Sequence, residues 1–337
     1  MTRKNLLIIN QSQFGYHLDT YYYCKYLSKK YNITYLCWDY GKPKKNMENI
    51  DVIYLNRAGN IICRNLNFIY RTLKVIKNNI YDIIFIKYFR GCSLLKIIDP
   101  SYKYVFDIRT GSVSNSQTNK HIYNFFLILE SHFFKNITII SNTLREKLGL
   151  KKDKCYTLPL GADIISNSNK SFNSIKLIYV GTLSNRNIED TILGFNKFYK
   201  DYGNKIDIKY TIIGDGWNNE LFELKELVKN LNLENVVKFT GFIHHKNLAK
   251  YFDNHNIGVS YIPKTDYFDV QPPTKTFEYI LSGMPVIATS TQENKKVINT
   301  KNGVLINDTP SSFYNGLVRI YNNKNHYNSA IIRLNSK

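Results

Sequence analysis

The segment Pro272-Pro273-Thr274-Lys275-Thr276-Phe277-Glu278-Tyr279-Ile280-Leu281-Ser282-Gly283-Met284-Pro285-Val286-Ile287-Ala288-Thr289 brings together side chains that can do chemistry. Two prolines impose an extended approach, and Thr274 is placed to cap the free N–H groups that open a helix. Phe277, Ile280 and Leu281 share one face at i, i+3, i+4 spacing, and Gly283 suits the left-handed position that ends the helix. Pro285 then leads into the apolar strand Val286-Ile287-Ala288. The first turn of such a helix attracts an anion, because its outward N–H groups and the helix dipole both favour negative charge. Lys275 adds a mobile positive charge there. Glu278, one turn later, offers a carboxylate able to accept two hydroxyl hydrogen bonds, as the ribose diol of a nucleotide would supply. The alternative is an ordinary helix–strand corner with Lys275 and Glu278 merely solvated.

Three more turns in the second half place glycine directly after a strand: Gly181-Thr182-Leu183-Ser184-Asn185-Arg186, Gly214-Asp215-Gly216 and Gly241-Phe242-Ile243. Glycine there lets backbone approach a ligand or turn sharply. The strands that carry these turns are predicted at 177–180, 208–213 and 236–240, with helices over 190–202, 220–230 and 247–252 and a further strand at 257–261. The first half reads the same way, with strands at 6–9, 34–38, 51–55, 83–87, 104–108 and 137–141 and helices over 19–30 and 63–77. Short apolar strands alternating with helices imply parallel sheets covered on both faces. Two doubly wound α/β units are the economical reading, joined near 163–174, where Asn and Ser dominate. Ligands in such sheets bind beyond the carboxyl ends of the strands, so the cleft between two such units is the default site.

The 337 residues suffice for two α/β domains. The formal charge of +20 and pI near 9.5 draw the surface to polyanions, whether nucleic acid, anionic lipid or a phosphate-bearing substrate. No basic block forms a nucleic-acid arm and no such motif stands out, so nucleic acid is not an expected partner. A membrane-surface reading fits Tyr21-Tyr22-Tyr23 and Lys25-Tyr26-Leu27 with Lys29-Lys30, against a core-packed helix with a solvated basic face. Cys24, Cys37, Cys63, Cys92 and Cys155 are odd in number and form no C-x-x-C pair, which reads as reduced, intracellular thiols. The run 6–9 is too short for a signal peptide, and 122–134 contains Glu130 and His132 and falls short of a membrane span. A cytoplasmic protein, peripheral on the inner face of the membrane, is expected.

From Leu177 to about Asp308 the register resembles the nucleotide-sugar domain of family 4 of the retaining glycosyltransferases, which have the GT-B fold. In that comparison Gly181 matches the glycine after the domain's first strand, and Arg186 lies close to the basic position that pairs with the donor diphosphate. Thr182 stands where the family often has arginine. Phe242 and Ile243 match the segment that lines the base pocket, and Asn302-Gly303-Val304-Leu305 matches a turn before the final helix. The family often carries a glutamate near the sugar eight residues before the one matched by Glu278; here that residue is Val270, and neither Asp266 nor Asp269 is in register. The first half resembles the acceptor domain more loosely: Gly15 matches a loop glycine that approaches the donor phosphate or acceptor. Phe106-Asp107-Ile108-Arg109-Thr110-Gly111 follows a strand where many members place a histidine or acid. Asp107 could orient or accept the acceptor hydroxyl and Arg109 could hold a phosphate; a structural ion pair closing the strand is the other reading. Ile140-Ser141-Asn142 and Leu158-Pro159-Leu160-Gly161-Ala162-Asp163 match architectural signatures at the junction.

The resemblance implies two Rossmann-like domains facing across a cleft: an acceptor-binding domain over 1–165, a nucleotide-sugar domain over 174–320, and a tail over 321–337 that packs back toward the first domain or is reduced. It implies a retaining, metal-independent hexosyltransferase-type enzyme (EC 2.4 class) acting without a cofactor. The donor is a nucleoside-diphosphate sugar and the acceptor a saccharide or lipid-linked saccharide, as in bacterial capsule, exopolysaccharide or lipopolysaccharide assembly. Catalytic candidates are Asp107, Arg109, Arg186 and Lys275. Donor-binding candidates are Gly15, Gly181, Arg186, Gly214, Phe242, Ile243, Thr274, Lys275 and Glu278. No metal ligand is expected, since nothing matches a D-x-D motif and His244-His245 point apart. His17, His121 and His132 have no convincing partner. A catalytically silent basic binding protein and a nucleotide-sugar epimerase are the competing readings.

Overall fold

The computed structural model describes residues 3–112, 114, 116–266 and 268–334. The chain divides into two compact units, residues 1–160 and 161–337. In the first, β1 (Lys4–Ile9), α1 (Leu18–Leu27), β2 (Tyr31–Asp39), β3 (Ile50–Asn56), α2 (Ile61–Lys77), β4 (Ile83–Lys87), α3 (Ser93–Ile98), β5 (Tyr104–Ile108), α4 (Gln117–Ser131), β6 (Asn136–Ile139), α5 (Asn142–Lys147) and β7 (Cys155–Thr157) follow in order. Their seven strands form one sheet ordered β3-β2-β1-β4-β5-β6-β7, and every strand pair in it is parallel.

The second unit runs β8 (Ser174–Val180), α6 (Ile188–Tyr202), β9 (Asp207–Ile213), α7 (Glu220–Asn230), β10 (Val237–Gly241), α8 (Ala249–Asn254), β11 (Ile257–Ser260), α9 (Thr274–Leu281), β12 (Val286–Thr289), α10 (Asn294–Val297), β13 (Gly303–Ile306), α11 (Pro310–Asn322) and α12 (Ser329–Leu334). Its six strands are also parallel, ordered β10-β9-β8-β11-β12-β13. The runs LLII of β1, VIAT of β12 and IGVS of β11 are buried throughout because helices cover both sheet faces. Each sheet reverses its winding once, at β1/β4 and at β8/β11, and the glycine loops after β1 and β8 open at those switch points.

Because crossovers are right-handed, the reversal at β1 puts α1 on one face of the first sheet and α2, α3 and α4 on the other. Side-chain alternation agrees. Leu6, Ile8, Tyr35 and Cys37 pack in one cluster with Cys24 of α1, whereas Trp38 stacks on Phe68 of α2.

One local expectation changes. Residues 303–306 form the edge strand β13 rather than a turn, since a Cβ at Gly303 would run into the Val286 carbonyl of β12 and glycine lets the strands close up. The described part of the 321–337 tail packs on its own unit: Ser329 Oγ donates to the Gly283 carbonyl at 3.0 Å and Arg333 Nη2 to that of Ser168 at 2.7 Å. Residues 335–337 lie outside the described residues.

Candidate functional site

The carboxyl ends of β8, β9 and β10 place Gly181, Gly214 and Gly241 side by side. Gly181 N donates to the Ile213 carbonyl and Gly214 N to that of Gly241, both at 3.0 Å. Gly181 and Gly214 take φ of 153° and 149°, which L side chains rarely adopt. A Cβ on Gly214 would collide with the Gly181 carbonyl oxygen. We predict that Gly214→Ala destabilises the protein by about 3 kcal/mol through overpacking and backbone strain. Urea denaturation checks this, and a loss below about 1 kcal/mol would contradict the packing described.

Helix α9 enters this glycine floor from the side. Tyr279 Oη accepts from Val180 N at 2.9 Å, and Gly258 of β11 leaves room for the Tyr279 ring. Thr276 Oγ1 pairs with Ser260 Oγ at 2.7 Å. Lys275, expected to be mobile, is instead fixed. Its ammonium lies 3.9 Å from the centre of the Tyr179 ring and donates to the Tyr261 carbonyl at 3.3 Å. It also stands 3.8 Å from where a Cβ would sit on Gly181. Burial holds its pKa well below the ordinary lysine value, Arg186 pushes the same way, and Glu278 opposes them. Tyr179 is held in turn, its hydroxyl donating to the Thr182 carbonyl at 2.6 Å.

Arg186 lies in the loop after β8, between two left-handed asparagines, Asn185 and Asn187. Its guanidinium stacks 4.2 Å over the Phe268 ring and its Nη1 donates to the Asn185 carbonyl. The expected cap at Thr274 does not form: Pro273 occupies the capping position and Thr274 is the first helical residue, with no side-chain cap. The extended Pro272-Pro273 approach moves the boundary by one residue. The first turn of α9 therefore carries no side-chain cap from its N-cap residue, and Lys275 and Arg186 supply positive charge near it.

One turn on, Glu278 is 5% exposed, and its Oε1 accepts from His245 Nε2 at 3.1 Å. His245 opens a short 3-10 turn after β10. In the same loop Phe242 projects outward at 67% exposure, its ring 5.1 Å from that of His244, while Ile243 packs inward on the core beneath α9. Asp269, near the missing family glutamate, is engaged: its two oxygens accept from Gln292 N at 3.0 Å and Gln292 Nε2 at 2.7 Å. Val270 is buried in the core.

In the first unit, Gly15 has φ of 84° and its carbonyl accepts from Lys45 Nζ at 2.7 Å. His17, two residues on, caps α1. Asp107 pairs in register with Lys87 on one side and Thr138 on the other, and Thr138 Oγ1 donates to its Oδ1 at 2.7 Å. Arg109 Nε donates to Asp19 Oδ2 of α1 at 3.0 Å, and Nη1 to the Leu158 carbonyl at 2.6 Å. Asp107 has no exposed surface and Arg109 is buried. Burial raises the Asp107 pKa to about 6 against the pull of Arg109. Burial lowers Lys87 to about 8, and lowers His17 to about 3 with help from Lys87 and Arg109. Asp107, Arg109, Asp19 and Lys87 form one charged network beside α1, with Arg109 Nη1 3.9 Å from Asp107 Oδ1 and the uncharged His17 at its edge. Among the described residues no group of three or more His, Cys, Asp or Glu is placed to hold a metal ion.

Two parallel Rossmann-like sheets, with glycine turns and a lysine-bearing helix at the strand ends of the second, define the GT-B class of protein. Residues 174–323 match the family model described as glycosyl transferases group 1, and the chain is a GT-B-fold protein related to that family. Solved structures agree on the fold. Anabaena Alr3699/HepE in complex with UDP and glucose superposes with a TM-score of 0.76 at 14% identity, over 99% of this chain and 94% of that one. Sucrose-phosphate synthase from Thermosynechococcus elongatus gives 0.74 at 15% identity, over 99% and 92%. The lipopolysaccharide outer core galactosyltransferase WaaB gives 0.67 at 15% identity, over 98% and 94%. No curated protein sequence matches the chain.

Proposed function

We propose that this protein is a retaining, metal-independent glycosyltransferase that moves a sugar from a UDP-sugar to a saccharide or lipid-linked saccharide in surface polysaccharide assembly. The observation that carries this reading is on α9. An ammonium is pinned beside the Gly181 backbone, and a buried carboxylate follows one turn later. That pairing suits a diphosphate and a ribose diol on one ligand. The uridine preference rests on the likeness to HepE, whose structure holds UDP and glucose.

In the reaction the bond between the anomeric carbon and the diphosphate oxygen breaks. The acceptor oxygen bonds to that carbon on the same face, and the acceptor proton passes to the departing phosphate. Negative charge accumulates on the leaving group, and Lys275, Arg186 and the uncapped N–H groups of α9 stabilise it. Gly181 and Gly214 give the phosphates close backbone access, Thr274 opens the anion-binding turn, Phe242 and Ile243 flank the base, and Glu278 anchors the ribose. Gly15 borders the acceptor loop of the first unit, and Asp107 and Arg109 position it from beneath. Acceptor-dependent release of UDP with a saccharide product detected by mass spectrometry tests the reading. UDP-sugar binding without release in the presence of saccharide and lipid-linked acceptors would leave a silent binder.

We also propose that the enzyme works on an anionic membrane surface through its first unit. Among the described residues no helix is long and apolar enough to cross a membrane. The predicted contact on α1 is not favoured, because Tyr22 and Cys24 there are buried. Helix α2 is better suited: Ile62, Leu66 and Tyr70, at i, i+4, i+8 spacing, are 69%, 57% and 61% exposed. Leu94, Ile97 and Ile98 of the adjoining α3 are exposed as well. Between Asp51 and Asp82 there is no acid, while Arg57, Arg64, Arg71, Lys74 and Lys77 supply positive charge. Each such charge near an anionic bilayer is worth about 1 kcal/mol. Cosedimentation with phosphatidylglycerol vesicles is expected, falling about tenfold in Leu66→Asp/Arg71→Glu and absent with phosphatidylcholine. Equal binding by the variant would contradict this face.

A further inference from the structure

The His245–Glu278 pair lies at the join between the loop after β10 and helix α9. Gly241, at φ 69°, turns the chain at the end of β10. The 3-10 turn His245–Asn247 then brings His245 back over α9, where its Nε2 stands 3.1 Å from Glu278 Oε1. The Glu278 side chain is 7% exposed and that of His245 is 39% exposed. A carboxylate only accepts, so the imidazole carries its proton on Nε2. Among the described residues the Glu278 side chain makes no other hydrogen bond, and its second oxygen has no hydrogen-bond partner among them.

We infer that His245 is a positioning residue that holds Oε1 and turns Oε2 toward the ribose hydroxyls. In this way His245 sets the enzyme's preference for ribonucleotides over 2′-deoxyribonucleotides. The inference rests on the reading of Glu278 as the ribose anchor. A carboxylate with both oxygens free would rotate about its last torsion, which is broad and roughly two-fold, and lose part of its directional preference for the diol. One fixed oxygen removes that freedom. It also ties the ribose contact to the Phe242–Ile243 segment that flanks the base, so that base and sugar are read by one rigid loop.

The test compares UDP with 2′-deoxy-UDP by titration calorimetry in wild type, His245→Ala, His245→Gln and Glu278→Gln. Wild type is expected to prefer UDP by about tenfold or more. His245→Ala is expected to cut that ratio to about threefold or less with 2′-deoxy-UDP affinity nearly unchanged. His245→Gln, which keeps an N–H donor, restores most of the preference. A wild-type ratio in His245→Ala, with the preference lost in Glu278→Gln, overturns the role of His245 alone. Equal binding of the two nucleotides by wild type overturns the ribose assignment of Glu278 and this inference with it.

Discussion

Glu278→Ala is expected to weaken UDP binding about 100-fold, close to 2.7 kcal/mol, while leaving the fold intact. Hydrogen bonds to a charged acceptor contribute about 1.5–3 kcal/mol each. In the proposed donor site two ribose hydroxyls share one carboxylate, so the combined loss lies near one full charged contact. The small exposure of Glu278 strengthens the effect, because little water is available to replace the lost acceptor. The substitution has a second consequence. Glu278 is a negative charge that favours the Lys275 ammonium, against burial and Arg186. Removing it lowers the Lys275 pKa further, so nucleotide affinity in the variant falls off at lower pH than in wild type. Calorimetry across pH 6–9 reads both effects. A change of less than about threefold in affinity would remove Glu278 from the donor site.

Lys275→Met is expected to lower kcat by about 10²–10³-fold, the scale seen when one preorganised stabiliser of developing negative charge is lost. Lysine is the residue that fits: its ammonium is confined between the Tyr179 ring, the Tyr261 carbonyl and the Gly181 backbone, so Lys275→Arg should restore little. The free protein releases the Lys275 proton well below the ordinary value of 10.5, whereas a bound diphosphate favours the charged form. The alkaline fall in kcat/KM, which reports the free enzyme, therefore lies at lower pH than that in kcat. For stability, the unfolded chain holds this proton more tightly than the folded protein. Folding is thus favoured as pH rises from the lowered value toward 10.5. Lys87 and Lys170, both lowered to about 8, act in the same direction. The difference between wild type and Lys275→Met in urea denaturation isolates the Lys275 share. An unchanged kcat in Lys275→Met would contradict the mechanism.

What could be read from the sequence was local. The helix at 274–281, its stop at Gly283 and the strand after it follow from proline, glycine and apolar spacing within one short segment. The glycine turns after β8, β9 and β10 were visible for the same reason. What was not visible depends on partners brought together by the sheet. The ring under Lys275 belongs to Tyr179, far back in β8, and the stack under Arg186 belongs to Phe268. His245 read as one of two adjacent histidines beside a loop, because only the fold sets it against Glu278. Asp107 and Arg109 showed their charge but not their burial. Asp19, the partner that Arg109 binds, stands at the start of the predicted helix 19–30, and nothing in the sequence links it to Arg109. The capping rule missed at Thr274 because two prolines in a row shifted the boundary by one residue.

The central claim is that α9 and the glycine floor hold a nucleotide-sugar. Thermal stabilisation of the purified protein by a panel of UDP-, GDP-, dTDP- and ADP-sugars tests it most directly, with Glu278→Ala alongside. A shift of several degrees is predicted for the UDP-sugars and is lost in the variant. No shift with any member of the panel would contradict the donor site itself.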